Sequence, residues 1–191
     1  MSAIVQRLTE TARSKLVEHF GKLEPEDVRL RFGAPMAPDA IAAYVESIDF
    51  GADAVVGVYD DELNLGGVAH IAFGGDAAEL GVSVLAEHRG RGIGSALFAR
   101  AVEHARNRFV TRIYMHCLAE NAAMMHIARK AGMTICVDQG EADAFVNVPP
   151  GDTASLAGEF VEQRLALLDY ALKAQTAVLK RIAGALGGGQ G

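Results

Sequence analysis

The run Arg89, Gly90, Arg91, Gly92, Ile93, Gly94 and Ser95 lies between a strand-like segment and an amphipathic helical one. Glycines at such a junction let successive backbone N–H groups turn toward one point. The helix N-terminus adds its partial positive charge, and together they form a site for a phosphate or pyrophosphate. A P-loop would close on Gly-Lys-Ser/Thr, and no lysine is present. A dinucleotide fingerprint needs G-x-G-x-x-G, whereas Gly92 is followed by Gly94 and then Ser95. A second group with chemical potential is Glu79 at the start of the preceding strand, either a general base or an exposed strand-end carboxylate. His116 and His126 flank the same region and read first as packing or surface residues. Tyr114 lies on the next strand, facing either the site or the reverse side. Cys117 and Cys136 lack metal-ligand spacing and read as buried small apolar residues, so no metal is expected and reduced thiols fit a cytoplasmic protein.

These residues need elements to position them. Leu8, Ala12, Leu16 and Phe20 recur every four residues and predict a helix from Ile4 to about Phe20. Leu23 to Asp27 reads as a turn with a helix start, and Asp39 to Ser47 as a short helix. Ala54–Tyr59, Gly67–Phe73 and Glu79–Leu85 predict three consecutive antiparallel strands joined at Asp60–Asn64 and Gly74–Asp76. Ile93, Leu97, Phe98, Ala101 and Ala105 then mark a helix, and Arg112–Leu118 a strand parallel to the one before it. Asn121 can cap a second helix that stops at Gly132. Thr134–Asp138 and Ala144–Val148 predict two short strands before the break at Pro149 and Pro150. A Rossmann domain would open on its βαβ unit, whereas here three antiparallel strands come first.

The 191 residues suit one compact domain with an appendage, and half are hydrophobic against 22% charged, which excludes disorder. No apolar run approaches the ~20 residues of a membrane span, and no secretion signal is visible. With a net charge of −6 and no basic stripe, nucleic acid is not expected as a partner.

The segment resembles the acetyl-CoA motif of the GNAT superfamily, [Q/R]-x-x-G-x-[G/A], here Arg89-x-x-Gly92-x-Gly94. The resemblance extends over Glu79–Leu97 and Asn121–Met133, and covers roughly residues 25 to 148. Asn121-x-x-Met124-x-x-Ile127-Ala128 and Asp27-x-x-Leu30-Arg31-Phe32 are similar to the GNAT domains of bacterial protein-lysine acyltransferases. The resemblance implies an α/β (α+β) GNAT fold: a mixed central sheet with an antiparallel meander, a central βαβ unit with splayed parallel strands, and a long C-terminal helix. Residues 1–150 form the acetyltransferase domain, 151–186 a helical extension and 187–191 a flexible tail.

The resemblance also implies N-acetyl transfer from acetyl-CoA to a primary amine, a protein lysine or a small amine, by direct attack in a ternary complex. Backbone groups of Val82, Ser83 and Val84 are expected to pair with the pantetheine arm. The N–H groups of Gly90 through Ser95 are expected to hold the pyrophosphate, with charge from Arg89 and Arg91. Asn121 is either a cofactor contact or a simple cap. A strand N–H near Val84 is the candidate oxyanion donor, and Glu79 the candidate base. Many family members carry an acidic tyrosine where Ala128 stands. Either the thiolate leaves without side-chain help, a thiol pKa of ~8.5 making that tolerable, or the protein is a non-catalytic acyl-CoA sensor. The apolar stripe Leu156, Phe160, Leu165, Leu168, Leu172, Val178, Leu179 and Ile182 is expected to pack on the domain's own sheet, with a homodimer contact as the alternative.

Overall fold

The computed structural model describes residues 3–187, with side chains through Arg181. The Ile182 side chain of the apolar stripe, and positions 188–191 of the tail, lie outside what is described. Seven strands form one mixed sheet in the order β1-β2-β3-β4-β5-β7-β6. The meander is β2 (Ala54–Tyr59), β3 (Leu65–Gly74) and β4 (Ala77–Val84). Asp60 closes its first turn by accepting from the backbone N–H groups of Glu62 and Asn64, at 3.0 and 2.7 Å. Helix α4 (Ile93–Asn107) crosses to β5 (Arg112–Leu118), which is parallel to β4. Helix α5 (Ala122–Lys130) follows, then the hairpin β6 (Thr134–Asp138) and β7 (Glu141–Asn147). Gly132 ends α5 in the left-handed region, at φ 68°, where a side chain would be strained.

The N-terminus corrects one expectation. Residues predicted as one helix divide into a strand β1 (Gln6–Leu8), a 3-10 turn (Glu10–Ala12) and helix α1 (Arg13–Gly21). Strand β1 pairs antiparallel with β2, placing Arg7 opposite Val56. Leu8, Ala12, Leu16 and Phe20 still share one buried cluster. Their spacing reported burial correctly, but the open edge of β2 drew the first of them into strand pairing. Helices α2 (Pro25–Phe32) and α3 (Pro38–Ser47) complete that face of the sheet, and α4 and α5 cover the other.

The central strands pair only over Ala77–Glu79 against Arg112–Tyr114. Beyond Glu79, β4 continues along β3, while β5 continues along β7. The sheet therefore splits into a wedge with Glu79 and Tyr114 at its vertex.

Helix α6 (Thr153–Gly187) lies against α4 and β1. Its docked side is largely polar. Glu159 accepts from Asn107 at 2.6 Å and bonds His104 Nδ1, Arg100 reaches Glu162 at 2.9 Å, and Lys173 donates to the Tyr59 carbonyl at 2.9 Å. Ala166 is the buried apolar residue of this contact, and Tyr170 stacks edge-on against Tyr59. The predicted stripe faces the other way: Phe160, Leu168, Leu172 and Leu179 are each 60–66% exposed. The expected intrachain packing of that stripe is thus corrected. On α4, Arg100, His104 and Asn107 offer polar partners that bond the polar side of α6, while Glu103 bonds Arg100 within α4. No helix among the described residues is long and apolar enough to cross a membrane.

Candidate active site

The glycine-rich loop is positioned by both neighbours. Leu85 N donates to Gly66 O at 2.9 Å, a 3-10 turn spans Ala86–His88, and Gly90 and Gly92 adopt φ values of 73° and 76°. Gly92 caps α4, and Ala96 is the first amide bonded back to it, at 3.0 Å. The first-turn N–H groups of Ile93, Gly94 and Ser95 have no acceptor within the helix and point toward an incoming anion. A Cβ on Gly94 would stand 3.2 Å from Ile127 and 3.7 Å from Val84, so glycine keeps the loop, β4 and α5 close.

These groups line a cavity of about 550 Å³ that also takes in Val82, Ser83, Val84 and Asn121. Backbone amides alternate sides along a strand. Because Leu85 N bonds β3, those of Ser83 and Gly81 do as well, and those of Val82 and Val84 face the open wedge. Neither has a strand partner there. The Ser83 side chain is also engaged: its hydroxyl donates to His19 Nε2 at 2.8 Å, while His19 Nδ1 donates to Leu65 O at 2.8 Å. Burial pushes the His19 pKa down to about 4, which keeps the ring neutral and able to accept.

At the vertex, Glu79 is exposed and forms no hydrogen bond or ion pair among the described residues. It shares a sheet face with Tyr114 and His116. His116 Nδ1 lies 2.8 Å from Asp143, and that hydrogen bond holds the imidazole pKa above its usual value. Two further cavities meet at Glu79 and His116. One, of about 530 Å³, reaches Tyr114 and Asp143, and the other, of about 300 Å³, reaches Arg31, Tyr44 and His70.

Residues 32–133, more than half of the chain, match the model of the acetyltransferase (GNAT) family. The chain belongs to the GNAT family. Solved structures agree on the fold. The GNAT domain of S. lividans PAT is 21% identical, with a TM-score of 0.66, 75% of this chain and 89% of that one being covered. A phosphinothricin acetyltransferase from Sinorhizobium meliloti, in complex with acetyl-CoA, is 18% identical, with a TM-score of 0.62, covering 81% and 92%. A ribosomal-protein-alanine N-acetyltransferase from Brucella melitensis is 22% identical, with a TM-score of 0.56, covering 74% and 96%. A search of curated proteins gave no match.

Within this GNAT wedge the sequence-derived site residues fall into three groups. Gly90, Gly92, Ile93, Gly94 and Ser95 come together with Val82 and Val84 around one cavity. Arg91 is exposed and makes no side-chain bond, whereas Arg89 is committed to the protein, with Asp27 at 2.5 Å and the Val84 carbonyl at 3.2 Å. Asn121 acts as a cap, accepting from Met124 N at 3.1 Å, and its amide donates to the Leu30 carbonyl at 3.3 Å. It therefore ties α5 to α2 across the mouth of the groove.

Tyr114 lies on the Glu79 side of the sheet, which resolves its orientation. Ala128 is fully buried on the core-facing side of α5, leaving no hydroxyl at that position. Cys117 is buried, and burial raises its thiol pKa; Cys136 is exposed, contrary to expectation, because it lies on the edge strand β6. Sequence reasoning did not single out Arg31, Tyr44, His70 and Asp53 as a group. They come from four separate segments and share no motif spacing.

Proposed function

We propose that this GNAT protein transfers an acetyl group from acetyl-CoA to a primary amine by direct attack in a ternary complex. The carrying observation is the unpaired edge of β4, running from the phosphate-binding loop to a free carboxylate at the wedge vertex. The chain fits acetyl-CoA on two counts. The N–H groups of Ile93, Gly94 and Ser95 suit its pyrophosphate. The Val82 and Val84 amides suit the peptide-like pantetheine arm, which can add to the strand edge as an extended peptide would.

Val84 adjoins the phosphate loop, and Val82 lies one alternate position nearer Glu79. Val84, expected from the sequence as the oxyanion donor, is therefore better placed for the arm, and Val82 for the thioester oxygen, where a fixed donor stabilises the developing oxyanion. Glu79 takes one proton from the ammonium group of the acceptor, freeing the lone pair that attacks the thioester carbon. The C–N bond forms, the C–S bond breaks, and the second amine proton leaves with the thiolate through water. With Ala128 in place of an acid, the leaving group relies on its own thiol pKa of ~8.5.

The test is thiol release from acetyl-CoA by the purified protein over a panel of primary amines. Acceptor-stimulated release is the expected result. The second reading, an acyl-CoA sensor, is favoured by the apolar Ala128 position alone. Tight acetyl-CoA binding without stimulated release by any amine would select it.

A further inference from the structure

We infer that the acceptor is a small amine that also carries an acid group, its amine at Glu79 and its acid at Arg31. This rests on the reading that an amine attacks beside Glu79. Arg31 projects from α2 over Gly81, so closely that a Cβ on Gly81 would lie 2.4 Å from the guanidinium carbon. The guanidinium packs 4.8 Å from the Phe32 ring and 5.8 Å from the Tyr44 ring. Its Nη2 donates to the Tyr44 hydroxyl at 3.0 Å, and its Nε is buried with no partner. Among the described residues no carboxylate lies within ion-pair distance of it, whereas Arg29, Arg89 and Arg100 each have one.

The cation is held rigidly. Tyr44 donates to His70 Nδ1 at 2.8 Å, and His70 Nε2 donates to Asp53 at 3.0 Å. Burial lowers the His70 pKa, which preserves the neutral ring that this chain of bonds requires. Glu79 and Gly81 are two residues apart on one strand face, about 7 Å between their backbone positions, so the carboxylate and the cation over Gly81 occupy neighbouring places along β4. Both line the 300 Å³ cavity, and Leu30 and Arg31 form its shared wall with the cofactor groove. Two opposite charges, each left unpaired by the protein, complement a molecule bearing both. A planar guanidinium also favours a carboxylate or phosphate over other anions. A peptide lysine brings only its ammonium on a long aliphatic stem, and Arg31 would repel it.

The experiment compares matched acceptors with and without a carboxylate: alkylamines, amino acids with the amine at the α carbon, and amino acids with it at the chain end. In acetyl-CoA-dependent thiol release, acid-bearing amines should be preferred roughly 10- to 100-fold in kcat/KM, mainly through KM. Arg31→Met should collapse that ratio and Arg31→Lys should restore part of it. Equal rates for both classes, or a preference for a lysine peptide, would overturn the inference while leaving amine acetylation standing. If nothing turns over, titration of the same amino acids into the CoA-loaded protein decides. Binding lost in Arg31→Met supports the acid-group site and removes only the transfer reading; no binding sinks the inference.

A separate observation carries a second inference: the geometry points to a second copy of this chain as the partner of α6. Nine large apolar residues from Leu156 to Leu179 are 47–66% exposed. Five of them, Val161, Leu165, Leu168, Leu172 and Leu179, share one side of the helix, and at ~100 Å² for a whole side chain of this kind they leave roughly 300 Å² of apolar surface open there. A stable interface takes about 800 Å² from each partner, a little over half of it apolar, so this face supplies about two-thirds of the apolar share and the polar residues flanking it supply the rim. Val161, Leu165, Leu168, Leu172, Gln175 and Leu179 follow the alternating three- and four-residue spacing of a two-helix seam. The docked side is held by Glu159, Glu162 and Lys173, so α6 cannot roll its apolar face inward without breaking those bonds. A lipid surface is a poorer match, because a membrane-lying helix presents a basic polar face to water. Here that face is docked, and the chain is net negative.

Light scattering after size exclusion should give a dimer mass for the full chain. Leu168→Glu with Leu172→Glu should give a monomer of unchanged helix content. A Leu172→Cys variant should cross-link between copies under mild oxidation, in a Cys136→Ser background. A monomeric wild-type mass at the highest concentration measured, or binding to anionic vesicles in place of dimerisation, would overturn this inference.

Discussion

Strand β4 and helix α6 each carry a row of groups without partners, and the two rows are opposite in chemistry. Along β4 they are the backbone amides of Val82 and Val84, facing a wedge across which β4 and β5 do not pair, as an extended, amide-bearing ligand would require. Along α6 they are aliphatic side chains, facing away from a polar docking surface. A directional polar edge selects its ligand by hydrogen-bond geometry. An apolar face selects mainly by area and shape. The first is built into the rigid sheet, and the second is attached through a few polar bonds. Disturbing each region should therefore give different readouts.

The largest separation should come from Glu79→Gln. It should lower acetyl transfer by about two to four orders of magnitude and leave acetyl-CoA affinity unchanged, as measured by steady-state kinetics beside calorimetry. Equal turnover in the variant would remove Glu79 from the chemistry. Next comes pH. The His19 pKa in the fold, about 4, lies below its ordinary value of 6.5, so the unfolded chain binds the proton first. Stability should be full above pH 6.5 and fall by about 3 kcal/mol as pH drops toward 4. Denaturant unfolding at stepped pH should show this slope, and His19→Gln should flatten it.

Gly94→Val should weaken acetyl-CoA binding by roughly tenfold or more, since branched carbons would press on Ile127 and Val84. Calorimetry checks it, with circular dichroism to confirm the fold. The smallest effect belongs to α6. Glu159→Gln should loosen the helix by about 1 kcal/mol, visible as faster amide exchange within α6 and little change in the core. The hydrogen bond from His104 draws the Glu159 pKa down to about 2, so this latch is complete above pH 4.5 and is lost as pH falls toward 2. It should therefore open at lower pH than the His19 window.

The two regions also differed in how far the sequence exposed them. The glycine-rich turn between β4 and α4 was legible because glycines at 90 and 92 accommodate the positive φ that the turn requires. The βαβ unit was legible because α4 has a clear buried stripe. Strand β1 was misread because a helical spacing of buried residues does not reveal that a neighbouring strand edge is open. The orientation of α6 was misread for a related reason. Periodicity shows that an apolar face exists, and only the polar residues of α4 decide which face docks. The acceptor side stayed hidden because Arg31, Tyr44, His70 and Asp53 meet only after α2, α3 and β3 have packed, with Asp53 supplied by the turn before β2.

The short ladder between β4 and β5 has a mechanical meaning. Only three residues on each strand join a four-stranded half-sheet to a three-stranded one. The two halves meet like the leaves of a book bound at one corner. A ligand of the kind proposed would bond to the free margin of one leaf and pack against the other, and so act as the rest of the binding. The stiffness of the whole sheet then becomes a property of the loaded protein, and the distance between the leaves sets the space in which the two reactants can meet.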